Sequence, residues 1–303
     1  MVIAVLGSIN MDLVAEAPYF PSKGETVLGR GFARYPGGKG GNQAVAAARL
    51  GAQVSFYGKV GDDLFSHELL RSLRENGVDV NAVEHIKGTA CGIASIWVTE
   101  DGENAIVYVP GANALVDTTY IDRVLPQLAA AKVLLLQFEI PLRTVAYLLR
   151  RLPPKSPMVI LDPAPAQDIS GLPLERVDII TPNRGELITL TGEEELEKAA
   201  QLLLRFGVGK VICKASAEGA YLFEKKGFHH FPAFPIDPVD TTAAGDAFNG
   251  ALAVALAEGR LVEEAIVWAN AAGALAASRP GAQPSLPTRQ EVETLLRKAG
   301  YSG

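Results

Sequence analysis

The residues best suited to chemistry lie around Asp246. The run Asp240-Thr241-Thr242-Ala243-Ala244-Gly245-Asp246 narrows to small side chains and a glycine, then presents one carboxylate. Residues 247–257 follow at once, are apolar on nearly every side and are expected to form a buried helix that Gly259 ends. The first N–H groups of a helix have no partner within it, and its dipole favours an anion there. The backbone of Ala243, Ala244 and Gly245 could therefore hold a phosphate, with Asp246 beside it to accept a hydroxyl proton. An anion cradle and a base in one turn is what phosphoryl transfer to an alcohol requires. Asp is also an ordinary helix cap, so this turn decides nothing alone.

Other polar groups stand at comparable positions. Asn10 and Asp12 follow the apolar run 2–6 and are two apart, so an extended chain turns both the same way. An amide beside a carboxylate suits a vicinal diol. In Gly37-Gly38-Lys39-Gly40-Gly41-Asn42-Gln43 the glycines permit close approach to a ligand, and Lys39 and Asn42 add donors. The run is not a P-loop, because no Lys-Ser or Lys-Thr pair closes it, and it is not a dinucleotide fingerprint. Glu139, Asp162, Asn183 and Glu186 each follow a strand-like run. His229 and His230 are adjacent on a predicted strand, face opposite sides and read as surface or packing residues.

The elements that must position these groups follow from the apolar pattern. Short apolar runs at 2–6, 54–60, 133–137, 159–162, 177–181 and 208–213 alternate with helical patterns at 44–50, 64–76, 142–152 and 194–206. That alternation predicts an α/β fold, a doubly wound and mainly parallel sheet flanked by helices, with ligands gathered at the strands' C-terminal edge. Residues 24–35, 91–99 and 105–109 have strand character without crossover helices, and Asp101-Gly102 marks a hairpin turn. They predict a small projecting β-sheet, a lid built from about residues 10–36 and 89–112, with one face needing cover from substrate, a second subunit or both. Runs 221–223 and 228–233 predict a hairpin, and 261–278 and 289–298 helices joined by a rigid loop. With no long linker or repeat, residues 1–303 read as one large domain.

Bulk properties narrow the classes. The chain has 303 residues, 48% of them apolar and 20% charged, as expected of a globular protein with a full core. A net charge of −6 without a basic stripe argues against a nucleic-acid partner, though local backbone amides can still hold a nucleotide's phosphates. Cys91 and Cys213 lie in apolar runs and suggest neither a disulfide framework nor a zinc site. No signal-peptide pattern or membrane-length run is visible, so no membrane partner is expected and the cytoplasm is the expected compartment.

Together these residues resemble the phosphofructokinase-B, or ribokinase-like, family of sugar and nucleoside kinases. The matching pieces are Gly7-Ser8-Ile9-Asn10-Met11-Asp12, the glycine-rich run through Gln43 and Ala48, Thr181-Pro182-Asn183 with Glu186, residues 240–246, and Gly281-Ala282-Gln283-Pro284-Ser285. They keep the family order from residue 7 to 285. The glycine-rich run and Gln137-Phe138-Glu139 look most like the ribose-phosphorylating branch. The resemblance implies ATP-dependent phosphorylation of D-ribose at O5. A kinase for 2-keto-3-deoxygluconate, fructose or deoxyribose is the alternative, and a non-catalytic sugar sensor is the reading of another class.

The resemblance also implies roles. Asp246 would be the base, and the backbone of Ala243, Ala244 and Gly245 the anion hole. Asn10, Asp12, Gly38, Lys39, Asn42 and Glu139 would hold the sugar. Asn183, Lys214, Ala215, Ser216, Ala217, Glu218, Gly219, Gly245 and Asn270 would border ATP. Asp240, Thr242, Ala276, Arg279, Gly281 and Ser285 would hold K⁺, mostly through carbonyls, and Glu186 would help organise Mg²⁺ through water. The lid would close over sugar and join two copies as a homodimer. One departure stands out: Ser216 occupies a position where the family carries glycine, and a side chain there would crowd the phosphates or constrain the turn.

Overall fold

A computed structural model describes residues 2–301. Its apolar strands form one nine-stranded sheet, in spatial order Gly227–Phe231, Ala220–Glu224, Lys210–Lys214, Ile179–Ile180, Met158–Leu161, Val133–Leu136, Val2–Leu6, Gln53–Tyr57 and Val78–Asp79. All neighbours pair in parallel except the terminal hairpin, which adds its two strands antiparallel at the edge. Side chains alternate along a strand, so Ile3 and Val5 enter one core while Ala4 and Leu6 enter the other. Helices Lys39–Arg49, Leu64–Glu75, Ala244–Glu258, Val262–Ala277 and Arg289–Lys298 cover the first face. Helices Thr118–Ala130, Leu142–Arg151, Arg184–Thr191 and Leu196–Arg205 cover the second. This is the doubly wound arrangement the alternation implied. Among the described residues no helix is long and apolar enough to cross a membrane.

Several boundaries differ from the sequence pattern, each for a local reason. The strand expected over 54–60 breaks at Gly58, where a Cβ would lie 2.8 Å from the Gly7 carbonyl oxygen. Lys59–Val60 turns away and pairs with Glu84–His85. Helix Thr118–Ala130 was masked by an internal proline, Pro126. Helix Arg184–Thr191 is only 8 residues long and carries Gly185 near its start. The helix expected from Ala44 begins at Lys39, so Gly40 and Gly41 belong to its first turn. A Cβ on Gly40 would sit 2.7 Å from the Ser8 carbonyl oxygen. These glycines permit contact between backbones.

The projecting sheet has four strands. Asn10–Ala17 lies between Gly31–Gly37, antiparallel, and Gly92–Thr99, parallel, and Asn104–Val109 completes the edge. Strand structure starts at Gly31, not at residue 24. At one end Gly37, Asn10 and Gly92 pair in a row. A Cβ on Gly37 would collide with the Asp12 carboxylate, and one on Gly92 with the amides of Asn10 and Asn113. The projecting sheet thus narrows onto a polar cluster where it meets the main sheet.

Candidate active site

Leu6, Leu136, Leu161 and Ile180 pair in one row across four parallel strands. The polar residues just beyond them therefore emerge at one sheet edge. Helix Ala244–Glu258 starts at the same edge, capped by Ala243 in the left-handed conformation, φ 60°. Asp246 is the third helical residue and not the cap. Its carboxylate is buried and takes two side-chain hydrogen bonds: Asn42 Nδ2 donates to Oδ2 at 2.9 Å and Gln43 Nε2 to Oδ1 at 3.0 Å. Helix packing creates this meeting. Gly250 lies one turn beyond Asp246, and Ala46 one turn beyond Asn42. A Cβ on Gly250 would stand 2.6 Å from the Ala46 Cβ, so only glycine lets the two helices approach this closely.

Beside Asp246 lies a cluster of sugar-sized polarity. Asn10 Nδ2 donates to Glu139 Oε2 at 3.3 Å, and the Lys39 backbone N–H donates to the same oxygen at 3.0 Å. The Ser8 hydroxyl also donates to it. Asn113 Nδ2 donates to Asn10 Oδ1 at 2.7 Å, fixing which way that amide points. Tyr108 comes from the lid, and its hydroxyl donates to the Glu139 carbonyl oxygen at 3.2 Å. Burial first, then the charges of Glu139 and Asp246, push the Asp12 carboxyl up to about 7, against the pull of Lys39. Burial likewise raises Asp246 to about 6, with Lys39 opposing and Asp162 adding to the rise. For Lys39, burial works against the charge, yet Asp246, Asp162, Glu139 and Glu186 together raise its pKa. Lys39 is thus a firm cation in a ring of carboxylates.

On the other side of Asp246 opens a cleft of about 630 Å³. Asn183, Glu186, Lys214, Ser216, Ala217, Gly219, Ala243, Ala244, Gly245 and Asn270 line it. Of the polar group formed by Asn10, Asp12, Lys39, Asn42, Glu139 and Asp246, only Lys39 and Asp246 reach it, so the two halves meet at that pair. Within the described residues, the Gly245 and Asp246 backbone N–H groups make no main-chain hydrogen bond, while that of Ala244 donates to the Thr241 carbonyl oxygen at 3.2 Å. Asn183 and Glu186 form a reciprocal capping box at 2.8 and 2.7 Å, which holds both at the cleft wall. Ser216 keeps the turn that glycine would favour by adopting φ 50°. Ala215 is buried behind that turn, and Glu218 faces outward to Arg184 and Tyr221. Asn270 spends its amide hydrogens on the Phe231 and Pro232 carbonyl oxygens at 3.0 and 3.2 Å, pinning the cleft's far wall.

An anion-receptive helix start, a buried carboxylate and a polar cluster now share one edge. The family model described as pfkB family carbohydrate kinase matches residues 2–289. The chain belongs to this family. It is 42% identical over 299 residues to a ribokinase of Bacillus subtilis (strain 168), covering 97% of this chain and 99% of that one. A solved ribokinase of Thermotoga maritima is 39% identical, with a TM-score of 0.89 over 98% of this chain and 99% of that one. Arabidopsis thaliana ribokinase, solved with ribose and ATP, is 33% identical, with a TM-score of 0.91 over 97% and 98% of the two chains.

This carbohydrate kinase also joins two loops next to helix Ala244–Glu258. Asp240 Oδ1 accepts the Thr242 N–H and Oδ2 the Gly281 N–H, both at 2.8 Å. Gly281 has φ 85°. The Arg279 guanidinium pairs with Glu291, so only its carbonyl is available to a ligand. Ser285 is buried and donates to the Ala282 carbonyl oxygen at 2.8 Å. The Asp240 carboxylate is a hard donor, of a kind that fits K⁺ better than a soft metal. Among the described residues no group of three or more His, Cys, Asp or Glu could hold a metal ion.

Some site residues carried no role in the sequence reading. Gln43 was visible in the glycine-rich run, and Gln137 and Asp162 ended strands. Their contacts to one another join residues more than 90 positions apart and have no local signal. Asn113 and Tyr108 lie near the lid, where sequence pattern gave strands but not which side chain turns inward.

Proposed function

We infer that this kinase transfers the γ-phosphoryl group of ATP to O5 of D-ribose. The observation that carries the reading is Asp246, buried at the junction of a polar sugar-sized cluster and a cleft ending in unpaired helix amides. The ribokinases among its relatives support ribose and ATP as the pair. Asn10, Asp12, Gly38, Lys39, Asn42 and Glu139 hold the sugar with its terminal hydroxyl at Asp246. Asp246 takes the hydroxyl proton as the bond from O5 to phosphorus forms and the bond from phosphorus to the β,γ-bridging oxygen breaks, releasing ADP. The amides of the helix start and the Lys39 ammonium take up charge developing on the transferred group. Closure of the lid keeps water from competing as acceptor.

Among the described residues the second oxygen of Glu186 takes no hydrogen bond, and Glu186 would help hold Mg²⁺ through water, a charge that neutralises the phosphates. K⁺ held by Asp240, Thr242, Ala276, Arg279, Gly281 and Ser285 would order the loop that presents the amides. The lid exposes Phe32 at 69%, Ile106 at 56% and Val107 at 64%, apolar surface suited to a second copy in a homodimer. The cytoplasm, where ATP and K⁺ are abundant, is the compartment this chemistry suits.

A coupled assay of ADP release over D-ribose, 2-deoxyribose, fructose and 2-keto-3-deoxygluconate, with and without K⁺, tests the reading. D-ribose should give the highest kcat/KM, and K⁺ should stimulate turnover. Preference for another sugar would reassign the substrate, and sugar binding without turnover would make the protein a sensor.

A further inference from the structure

Gln43 is fully buried, so it cannot touch sugar or nucleotide, yet it is bonded on every side. Its one amide nitrogen donates to two carboxylates, to Asp246 Oδ1 at 3.0 Å and to Asp162 Oδ2 at 2.9 Å. Its oxygen accepts from Gln137 Nε2 at 2.7 Å. This orientation is forced, since the flipped amide would set its oxygen against two carboxylates. The other oxygen of Asp162 pairs with Lys214 Nζ at 2.9 Å, and Asp162 is also buried. Lys214 lines the nucleotide cleft, and a Cβ on Gly245 would lie 3.5 Å from its Nζ. The ammonium therefore lies against the first turn of the catalytic helix, where a phosphoryl group would arrive. An unbroken chain runs Lys214, Asp162, Gln43, Asp246.

We propose that Gln43 is a positioning residue that couples the nucleotide cleft to the base: it aims the Asp246 carboxylate and ties it to Asp162, whose counter-charge Lys214 is shared with the bound phosphates. The proposal rests on Asp246 being the base. When phosphates draw Lys214 towards themselves, Asp162 is left a less compensated anion one amide away from Asp246. Two anions so close disfavour joint ionisation, so Asp246 holds a proton more tightly. It becomes a stronger base only when the phosphoryl donor is in place. The other charges around Asp246 are Lys39 on the Gln43 helix Lys39–Arg49, Asp12 on strand Asn10–Ala17, Glu139 beyond Val133–Leu136 and Glu186 on Arg184–Thr191. They are left in place by the substitutions below.

The test compares kcat and sugar KM against pH for the intact protein, Gln43→Met and Asp162→Asn. Calorimetry in two buffers adds the protons taken up when a non-hydrolysable ATP analogue binds. Gln43→Met should lower kcat about a hundredfold by misaiming the base, with sugar KM near its original value. Asp162→Asn keeps the shape and an acceptor for Gln43 but not the charge. It should move the acid limb of kcat down by about one pH unit and reduce proton uptake on analogue binding. Full kcat in Gln43→Met, or an unmoved limb and unchanged uptake in Asp162→Asn, would overturn the proposal. If Gln43→Met does not fold, the isosteric Asp162→Asn decides alone. An active Asp246→Asn removes the base reading and this proposal together, whereas an inactive Asp246→Asn beside a fully active Gln43→Met removes this proposal only.

Discussion

The half of the site proposed to hold sugar and the half proposed to hold nucleotide are built differently. On the side proposed for sugar, Asn10, Asp12 and Asn42 are buried side chains on regular elements, Asn10 held by Asn113 and Glu139 and Asn42 by Asp246. On the side proposed for nucleotide, Ser216, Ala217 and Glu218 are exposed and the start of helix Ala244–Glu258 borders the cleft. Lys155, Ser216 and Ala243 are the non-glycine residues with positive φ among those described, and two of the three border this cleft. Fixed side chains discriminate between hydroxyl patterns, because a missing partner leaves a buried polar group unpaired. Backbone amides at a helix start accept any phosphate. Selectivity should therefore be fragile on the first side and residue identity more forgiving on the second.

The sharpest break in that contrast is at the shared residue. Asp246→Asn should lose about two to four orders of magnitude in kcat while sugar and ATP still bind, measured by turnover and calorimetry. Next comes Asp12→Ala, which should raise sugar KM by about tenfold to a hundredfold, the worth of a charged hydrogen bond, with ATP KM unchanged. The pH profile separates the halves further. Asp12 and Asp246 have raised pKa values, about 7 and about 6, so each is neutral and inactive as an acceptor below its value. Sugar kcat/KM should level off above pH 7, fall as pH drops through 7 and fall more steeply through 6, while ATP KM should change by no more than about tenfold and in the opposite sense, tightening as Asp246 takes up its proton. A flat sugar profile over that range would contradict the assignments.

Smaller effects probe the scaffold. Gly250→Ala forces a methyl group into the Ala46 contact and should cost roughly 1–3 kcal/mol, read as a lower Tm. Smallest of all, Ser216→Gly relieves a left-handed backbone worth about 1 kcal/mol and should change ATP KM less than about fivefold. A larger change would mean that the serine side chain itself meets the nucleotide.

The same contrast decides what the amino-acid sequence reveals. Strand alternation and the buried helix after Asp246 were legible because burial on both faces writes a periodic apolar code. Asn10, Asp12 and Asn42 were legible as side chains of distinctive type at short spacing. Lys39 was read as part of a glycine-rich run open to a ligand, whereas it begins a helix in which Gly40 serves backbone contact. Ala243 gave no hint of its left-handed conformation, since alanine rarely adopts it and the surrounding fold imposes it. The Gln43 bridge was hidden for a different reason. It joins Asp162 and Asp246, which approach only once the sheet and two helices have assembled.

A crystal structure with D-ribose, Mg²⁺ and a non-hydrolysable ATP analogue measures the central geometry directly. The account predicts Asp246 Oδ2 within about 2.6–3.2 Å of the sugar's O5, with the analogue's terminal phosphate against the Gly245 and Asp246 amides. An O5 hydrogen-bonded to another base, with Asp246 out of reach, would contradict it.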